Sequence, residues 1–272
     1  LSREDADLAA VVATGLTADG VDVRLGTTVE SVAGPDAAGL RTVTVLDAGQ
    51  RLEIAAEAIL VAMGRTANLE GLGLDAAGIA YTQKGLGLDA RLRTSAPHVF
   101  GAGDVTGEHQ FTHAAGYEGG VVLAGAVFRL PRRVDYAFMP RCAFTDPALA
   151  AAGLTEAQAK AAGLSHTVVV EPFAGNDRAR AAGETAGLVK LVLGRRGKLL
   201  GVGIVGAGAG ELLAQWLTAR AGKVGLSTLA GTTLPYPTLA ETGKRAAGRP
   251  LERKLFSPLV RRILRLVFGY RG

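Results

Sequence analysis

Gly101-Ala102-Gly103-Asp104 sets a carboxylate directly after two glycines, at the end of the apolar stretch His98–Phe100. The order strand, glycine-rich turn, acid, helix places Asp104 in the crevice outside the carboxyl end of a strand, where open α/β sheets bind ligands. A carboxylate there accepts hydrogen bonds from ligand hydroxyls. Glycines at 101 and 103 remove side chains where a ligand would approach the backbone. The helix expected to open near Thr112 would aim its unpaired N–H groups and positive end at an electron-rich part of the same ligand. The chemistry implied is the holding of a polyol-bearing, partly anionic cofactor. With 38 glycines in 272 residues, G-x-G-D also arises as an ordinary turn, so the four residues alone leave both readings open.

The elements around this loop are legible from periodicity. Leu8, Val11, Val12 and Leu16 recur at helical spacing over Asp5–Asp19, with Ser2–Asp5 reading as the helix cap. Strands are expected around Val21–Leu25, Arg41–Asp47 and Gln50–Ile54, separated by turn signals at Gly34-Pro35-Asp36 and Ala48-Gly49. Ile59–Ala62 reads as a buried strand entering a Met63-Gly64-Arg65 turn. Further on, Thr155 with Gln158 forms a capping box, and His166–Val170 is a β-branched run. Gly187–Leu193 and Lys198–Val205 flank Gly194–Gly197 as an antiparallel hairpin, and Leu212, Leu213, Trp216 and Leu217 lie on one face of a helix over 211–221.

Leu92–Gly119 as a whole resembles the second flavin-binding signature of the pyridine nucleotide–disulfide oxidoreductases, the family of dihydrolipoamide dehydrogenase, glutathione reductase and mercuric reductase. Ile59–Asn68 resembles that family's exit from its nicotinamide-nucleotide domain, Phe144–Gly163 the opening of its interface domain, and Pro235–Glu241 its histidine–glutamate segment. The resemblance implies FAD and NAD or NADP as cofactors. It implies that Asp104 holds the flavin ribityl chain, that Gln110, Phe111, Thr112 and His113 line the isoalloxazine edge, and that Gly64 and Val29 contact cofactor. It implies Glu241 as a catalytic residue, with Tyr236 at the family's histidine position. A tyrosine of ordinary pKa, about 10, is a poor general base at neutral pH. Tyrosine here is similar to the mercuric-reductase branch, but the tail lacks that enzyme's paired cysteines.

The fold class expected is therefore α/β followed by α+β: the remainder of the Rossmann-like FAD/NAD(P)-binding domains, then a dimerisation domain. The divisions are 1–62, the second half of the NAD(P)-binding domain; 63–134, the end of the FAD-binding domain; 135–248, the dimerisation domain; and 249–272, a basic amphipathic tail. The family's two G-x-G-x-x-G units and its cysteine pair are not in this sequence. The formal match at Gly201, Gly203 and Gly206 lacks a βαβ context and reads as a strand end and turn. The chain is thus expected to be the carboxy-terminal part of a homodimeric, cytoplasmic flavoenzyme with an unknown small-molecule or disulfide substrate. The alternative is a non-catalytic dimerisation module that keeps the fold without cofactor.

Composition narrows the rest. Hydrophobic residues make up 48% and aromatics 5%, so the cores are built from Ala, Val and Leu. The net charge of +5 is concentrated in Arg129–Arg133 and the last thirty residues, with few aromatics to stack on bases, which argues against nucleic acid. Four histidines lack metal-ligand spacing. Cys142, the lone cysteine, reads as a buried structural thiol. In the tail, Leu255, Leu259, Ile263 and Val267 recur every four residues while Arg261, Arg262 and Arg265 point elsewhere. Docking on its own protein or a dimer mate is expected ahead of a membrane surface, because a single weak anchor holds poorly.

Overall fold

The computed structural model describes residues 1–269; the last three residues of the expected tail lie outside the described part. The chain divides into two compact units, Arg24–Tyr136 and, separately, Leu1–Val23 with the residues from Ala137 onward.

The second of these opens with α1 (Ala6–Ala18), helical as its apolar spacing requires. Leu8 and Val12 on α1 are buried against Leu149, Ala151 and Val205 of a five-stranded sheet. The sequence grouped this helix with the strands near residues 41–54. In the structure its stripe is instead covered by the far larger apolar face of that sheet. The sheet is antiparallel throughout, in the order β6 (Arg141–Ala143), β7 (Leu149–Gly153), β10 (Leu199–Val205), β9 (Leu188–Leu193), β8 (Thr167–Pro172). The glycine run of β10 is a strand end and turn, as expected: a Cβ on Gly203 would collide with the Leu8 side chain, so this glycine admits α1. The other sheet face carries α5 (Ala209–Ala221), α6 (Leu226–Gly231) and α7 (Ala240–Leu255) around Trp216, Phe173, Leu191 and Ile204. α3 (Glu156–Ala161) starts with the full capping box of Thr155 and Gln158. α4 (Asp177–Ala182) is capped by Asn176. Cys142 is half-buried against the core, and burial raises its thiol pKa, in keeping with a structural role.

Asp5 does not cap α1. Its side chain makes no capping bond there and accepts from the Glu156 N–H at 3.1 Å. The reason is Lys190, whose side chain is 5% exposed, with Nζ 2.8 Å from Glu156, 2.9 Å from Asp7 and 3.4 Å from Asp5. An ammonium at this depth persists only with such partners. Burial pushes the Lys190 pKa down, but the hydrogen bonds to Glu156 and Asp7 with the charge of Asp5 outweigh it, leaving about 12. A cationic group raised in the folded state contributes stability fully below its ordinary value near 10.5 and loses it as pH rises through about 12. Alkaline unfolding followed by circular dichroism is therefore expected to lose about 2 kcal/mol across that interval. Lys190→Met, which removes the ammonium, should abolish this component; an unchanged alkaline limb would rule it out.

The unit Arg24–Tyr136 holds an antiparallel sheet of β1 (Thr28–Ala33), β2 (Arg41–Asp47) and β3 (Gln50–Ala56), and a short ribbon of β4 (Tyr81–Thr82) and β5 (Gly85–Leu86). Its helix is α2 (Thr112–Ala126). Three expectations fail here. Val21–Leu25 is not a strand; the strand begins at Thr28, where pairing with Leu46 becomes available. His98–Phe100 makes a single bridge, Phe100 to Arg93. Ile59–Ala62 is neither strand nor buried, with Leu60 90% and Val61 71% exposed. A near-continuous apolar run of this kind suits a strand covered on both faces, and no strand among the described residues pairs with it.

The carboxy-terminal segment is also two pieces rather than one. α7 runs to Leu255, and Ser257 then starts α8 (Pro258–Phe268), accepting from the Val260 N–H at 3.5 Å with proline in the first turn. That pairing of a capping serine with proline is a helix-start signal.

Candidate functional site

Asp104 sits at the start of a single 3-10 turn, Asp104–Thr106, that leads toward α2. Its carboxylate is exposed and makes no hydrogen bond or ion pair among the described residues. The residue before it, Gly103, has φ 81° and ψ −154°, which only glycine adopts without strain. Gly101 has a different purpose from the one the sequence suggested. A Cβ there would fall 2.8 Å from Leu86 and 3.1 Å from Leu88, so it makes room for the chain's own leucines rather than for a ligand.

What holds the loop is Glu118, fully buried on α2. One carboxylate oxygen accepts from the Gly103 N–H at 2.7 Å; the other accepts from the Tyr136 hydroxyl at 2.7 Å and from Thr106 at 3.4 Å. Burial and then this hydrogen bond to Glu118 raise the Tyr136 pKa, so its hydroxyl stays a donor. Tyr136 also packs its ring on His109 at 4.6 Å. Sequence reasoning missed Glu118. Its signal was available: it shares the spacing of Ala114, Val121 and Ala124, the buried stripe of α2, where a charge demands partners.

Gln110, Phe111, Thr112 and His113 form the entrance to α2. Phe111 occupies the N-cap position without a side-chain cap, at the helix end whose first N–H groups have no partner within the helix. The Phe111 and His113 rings stack at 5.2 Å, and Thr112 and His113 are exposed. Arg65 donates to the Gln110 carbonyl at 3.0 Å, which brings the exposed Gly64 turn to the same place. Gln110 itself donates to the Asp104 carbonyl at 3.5 Å. The unit thus gathers Asp104, the α2 entrance and Gly64. Val29, on β1 opposite Val45, stands on a different element.

Tyr236 and Glu241 lie in the other unit. Tyr236 is 71% exposed and donates to Asp177 at 3.0 Å; this hydrogen bond, with the Asp177 charge, raises its pKa further. The hydroxyl is thus ionised still less at neutral pH than that of an ordinary tyrosine. Glu241 accepts from the Thr238 N–H at 3.3 Å in the first turn of α7. The loop between them is held by buried Asn176, which donates to the Thr238 carbonyl and to Thr242, both at 2.9 Å. The residues present suit a cofactor that offers hydroxyls to Asp104 and an electron-rich edge to the start of α2. No group of acids, histidines or cysteines with metal-site geometry occurs among the described residues.

Comparison with known proteins shows the family to which the chain belongs. Residues 1–119 match the pyridine nucleotide-disulphide oxidoreductase family and residues 139–247 match its dimerisation domain. The chain belongs to the pyridine nucleotide–disulphide oxidoreductase family, and its fold class is the one expected from the sequence. Members of the family bind FAD and NAD(P). Dihydrolipoyl dehydrogenase of Mycobacterium tuberculosis is 37% identical over 246 residues, covering 89% of this chain and 52% of that protein. Mercuric reductase of Streptomyces lividans is 34% identical over 248 residues, 90% of this chain and 52% of that protein. Among solved structures, LpdA of Mycobacterium tuberculosis superposes with a TM-score of 0.82 at 26% identity, covering 91% of this chain and 53% of that one. The HOCl-induced flavoprotein disulfide reductase RclA of Escherichia coli, as its Cu(II) complex, gives 0.82 at 28% identity, with 92% and 56% covered. The chain spans about half the length of the curated relatives it matches.

Proposed function

We propose that this chain is the carboxy-terminal half of a homodimeric, FAD- and NAD(P)-dependent oxidoreductase of the disulfide-reductase type. In this reading residues 1–62, apart from α1, which packs on the five-stranded sheet, complete the NAD(P)-binding domain, 63–134 the FAD-binding domain, and 135–248 build the dimer interface. When bound, the flavin supplies hydride acceptance from the reduced nicotinamide and electron delivery to an acceptor. The residues of this chain do the holding. Asp104 would receive the ribityl hydroxyls, the start of α2 would hold the electron-rich part of the ring, and Glu118 with Tyr136 fixes the backbone between them. The single observation that carries this is the exposed, unpartnered Asp104 carboxylate on a loop anchored by a fully buried acid.

The exposed apolar run Leu60-Val61-Ala62-Met63 supports a longer parent, whose missing strands would cover it. The acceptor is reached without the family's histidine base, because position 236 is a tyrosine held by Asp177. Expressing the gene together with its upstream sequence tests the proposal: a yellow protein that oxidises NAD(P)H is expected, while a colourless one would favour the non-catalytic module. A homodimer is expected from the dimerisation-domain match and the closed symmetry usual among oligomers. Sedimentation velocity of the chain at micromolar concentration should show it; a monomer would count decisively against it.

A further inference from the structure

We infer that α8 lies flat on an anionic lipid surface. At about 100° per residue, Leu266, Leu259, Ile263, Val267, Leu264 and Phe268 fall in that angular order on an arc of about 200°, and Arg261, Arg265 and Arg262 fill the remaining side. None of the residues of α8 is buried, and five of these apolar side chains are strongly exposed: Leu259 68%, Ile263 48%, Leu266 79%, Val267 65% and Phe268 74%. A globular neighbour usually covers a narrower stripe, of about 100° or more. An arc of twice that width is matched by a fluid acyl boundary, which closes around more than half of the helix.

Charge selects the surface. From Arg253 to Phe268 the ionisable side chains are Arg253, Lys254, Arg261, Arg262 and Arg265, with no acid among them. Such a set complements anionic headgroups. A second copy docking its own α8 on this one would instead bring the same cations together, with no acid in that helix to neutralise them. The dimerisation-domain match also ends at residue 247, before α8 begins. The helix is about 16 Å long, half the thickness of a hydrocarbon core, so it rests in the interface plane. No helix among the described residues is long and apolar enough to cross a membrane. The inference does not depend on the oxidoreductase reading.

The test is co-sedimentation of the 272-residue chain with vesicles of phosphatidylglycerol and phosphatidylcholine in equal parts, against vesicles of phosphatidylcholine alone. The chain is expected to pellet with the anionic vesicles at low salt, to stay in solution with the zwitterionic ones, and to be partly released by salt. Ile263→Glu, on the exposed arc, and the double change Arg261→Gln with Arg262→Gln should each weaken pelleting by more than about tenfold, with unchanged circular dichroism. Leu266→Trp supplies a second readout, a blue shift of its emission on the anionic vesicles. Failure to pellet with anionic vesicles, or undiminished pelleting of Ile263→Glu, would overturn the inference. So would a change in sedimentation coefficient of Ile263→Glu without lipid, which would assign the helix to a second copy.

Discussion

Titrated with FAD, the 272-residue chain is expected to bind more than about a hundredfold more weakly than the longer parent we propose. The site in this chain supplies Asp104, the open end of α2 and the Arg65–Gln110 contact. In the proposed reading all of these serve the ribityl and ring side. A dinucleotide also needs a phosphate site, and α/β folds build one from a glycine-rich turn opening a helix within a βαβ unit. The described sheets pair only antiparallel strands, and the G-x-G-x-x-G of β10 runs into a strand end packed on Leu8. Each missing charge-assisted hydrogen bond to phosphate is worth roughly 1.5–3 kcal/mol, so losing two already gives about a hundredfold. Isothermal calorimetry on the chain and on the parent measures the difference directly. Tight stoichiometric binding by the chain alone would defeat the half-enzyme proposal. In the parent, Asp104→Ala should weaken flavin affinity by about tenfold or more, the worth of one carboxylate–hydroxyl contact, and so lower flavin occupancy.

Much of this was legible before any coordinates. The helix over α1, the hairpin of β9 and β10, the Thr155 capping box and the amphipathic α5 each follow a local rule that tertiary packing did not override. The Asp104 loop and its helix were legible for the same reason, since glycine spacing and a helix start are local signals. What escaped depended on partners distant in sequence. β1 has six exposed residues and hence no burial alternation to detect. Asp5 looks like a cap, but Lys190, 185 positions away, redirects it to α3. Ile59–Ala62 carries the composition of a central strand, which becomes one only beside neighbours. The break before α8 was announced by Ser257-Pro258, yet the four-residue periodicity of Leu255, Leu259, Ile263 and Val267 runs straight through it and masks it.

Glu118 is the residue whose loss should most damage the unit Arg24–Tyr136. Replacing it with alanine leaves the Gly103 N–H without its acceptor, strands the half-buried Tyr136 hydroxyl and opens a void in the α2 stripe. An unsatisfied buried donor costs about 1–3 kcal/mol, and the void adds to it, so Glu118→Ala should destabilise the unit by about 2–4 kcal/mol. Glu118→Gln keeps the volume and one acceptor oxygen, but its NH2 faces donors, so an intermediate loss is expected. Tyr136→Phe removes only the outer bond and should cost about 1 kcal/mol. A double-mutant cycle of Glu118→Gln with Tyr136→Phe should show a coupling of about 0.5 kcal/mol or more, because the two groups share one hydrogen bond. The sign with pH follows from the raised Tyr136 pKa: this contribution is complete below tyrosine's ordinary value of about 10 and is lost only as pH climbs through the higher folded one. Urea unfolding read by circular dichroism gives the stabilities, and limited proteolysis between residues 101 and 112 reports loosening of the loop itself. In the parent, the same alanine should release flavin although it touches no ligand, since the Gly103 backbone sets where Asp104 points. If Glu118→Ala unfolds like the unaltered chain and the loop stays protected, Asp104 is held by something other than this buried acid.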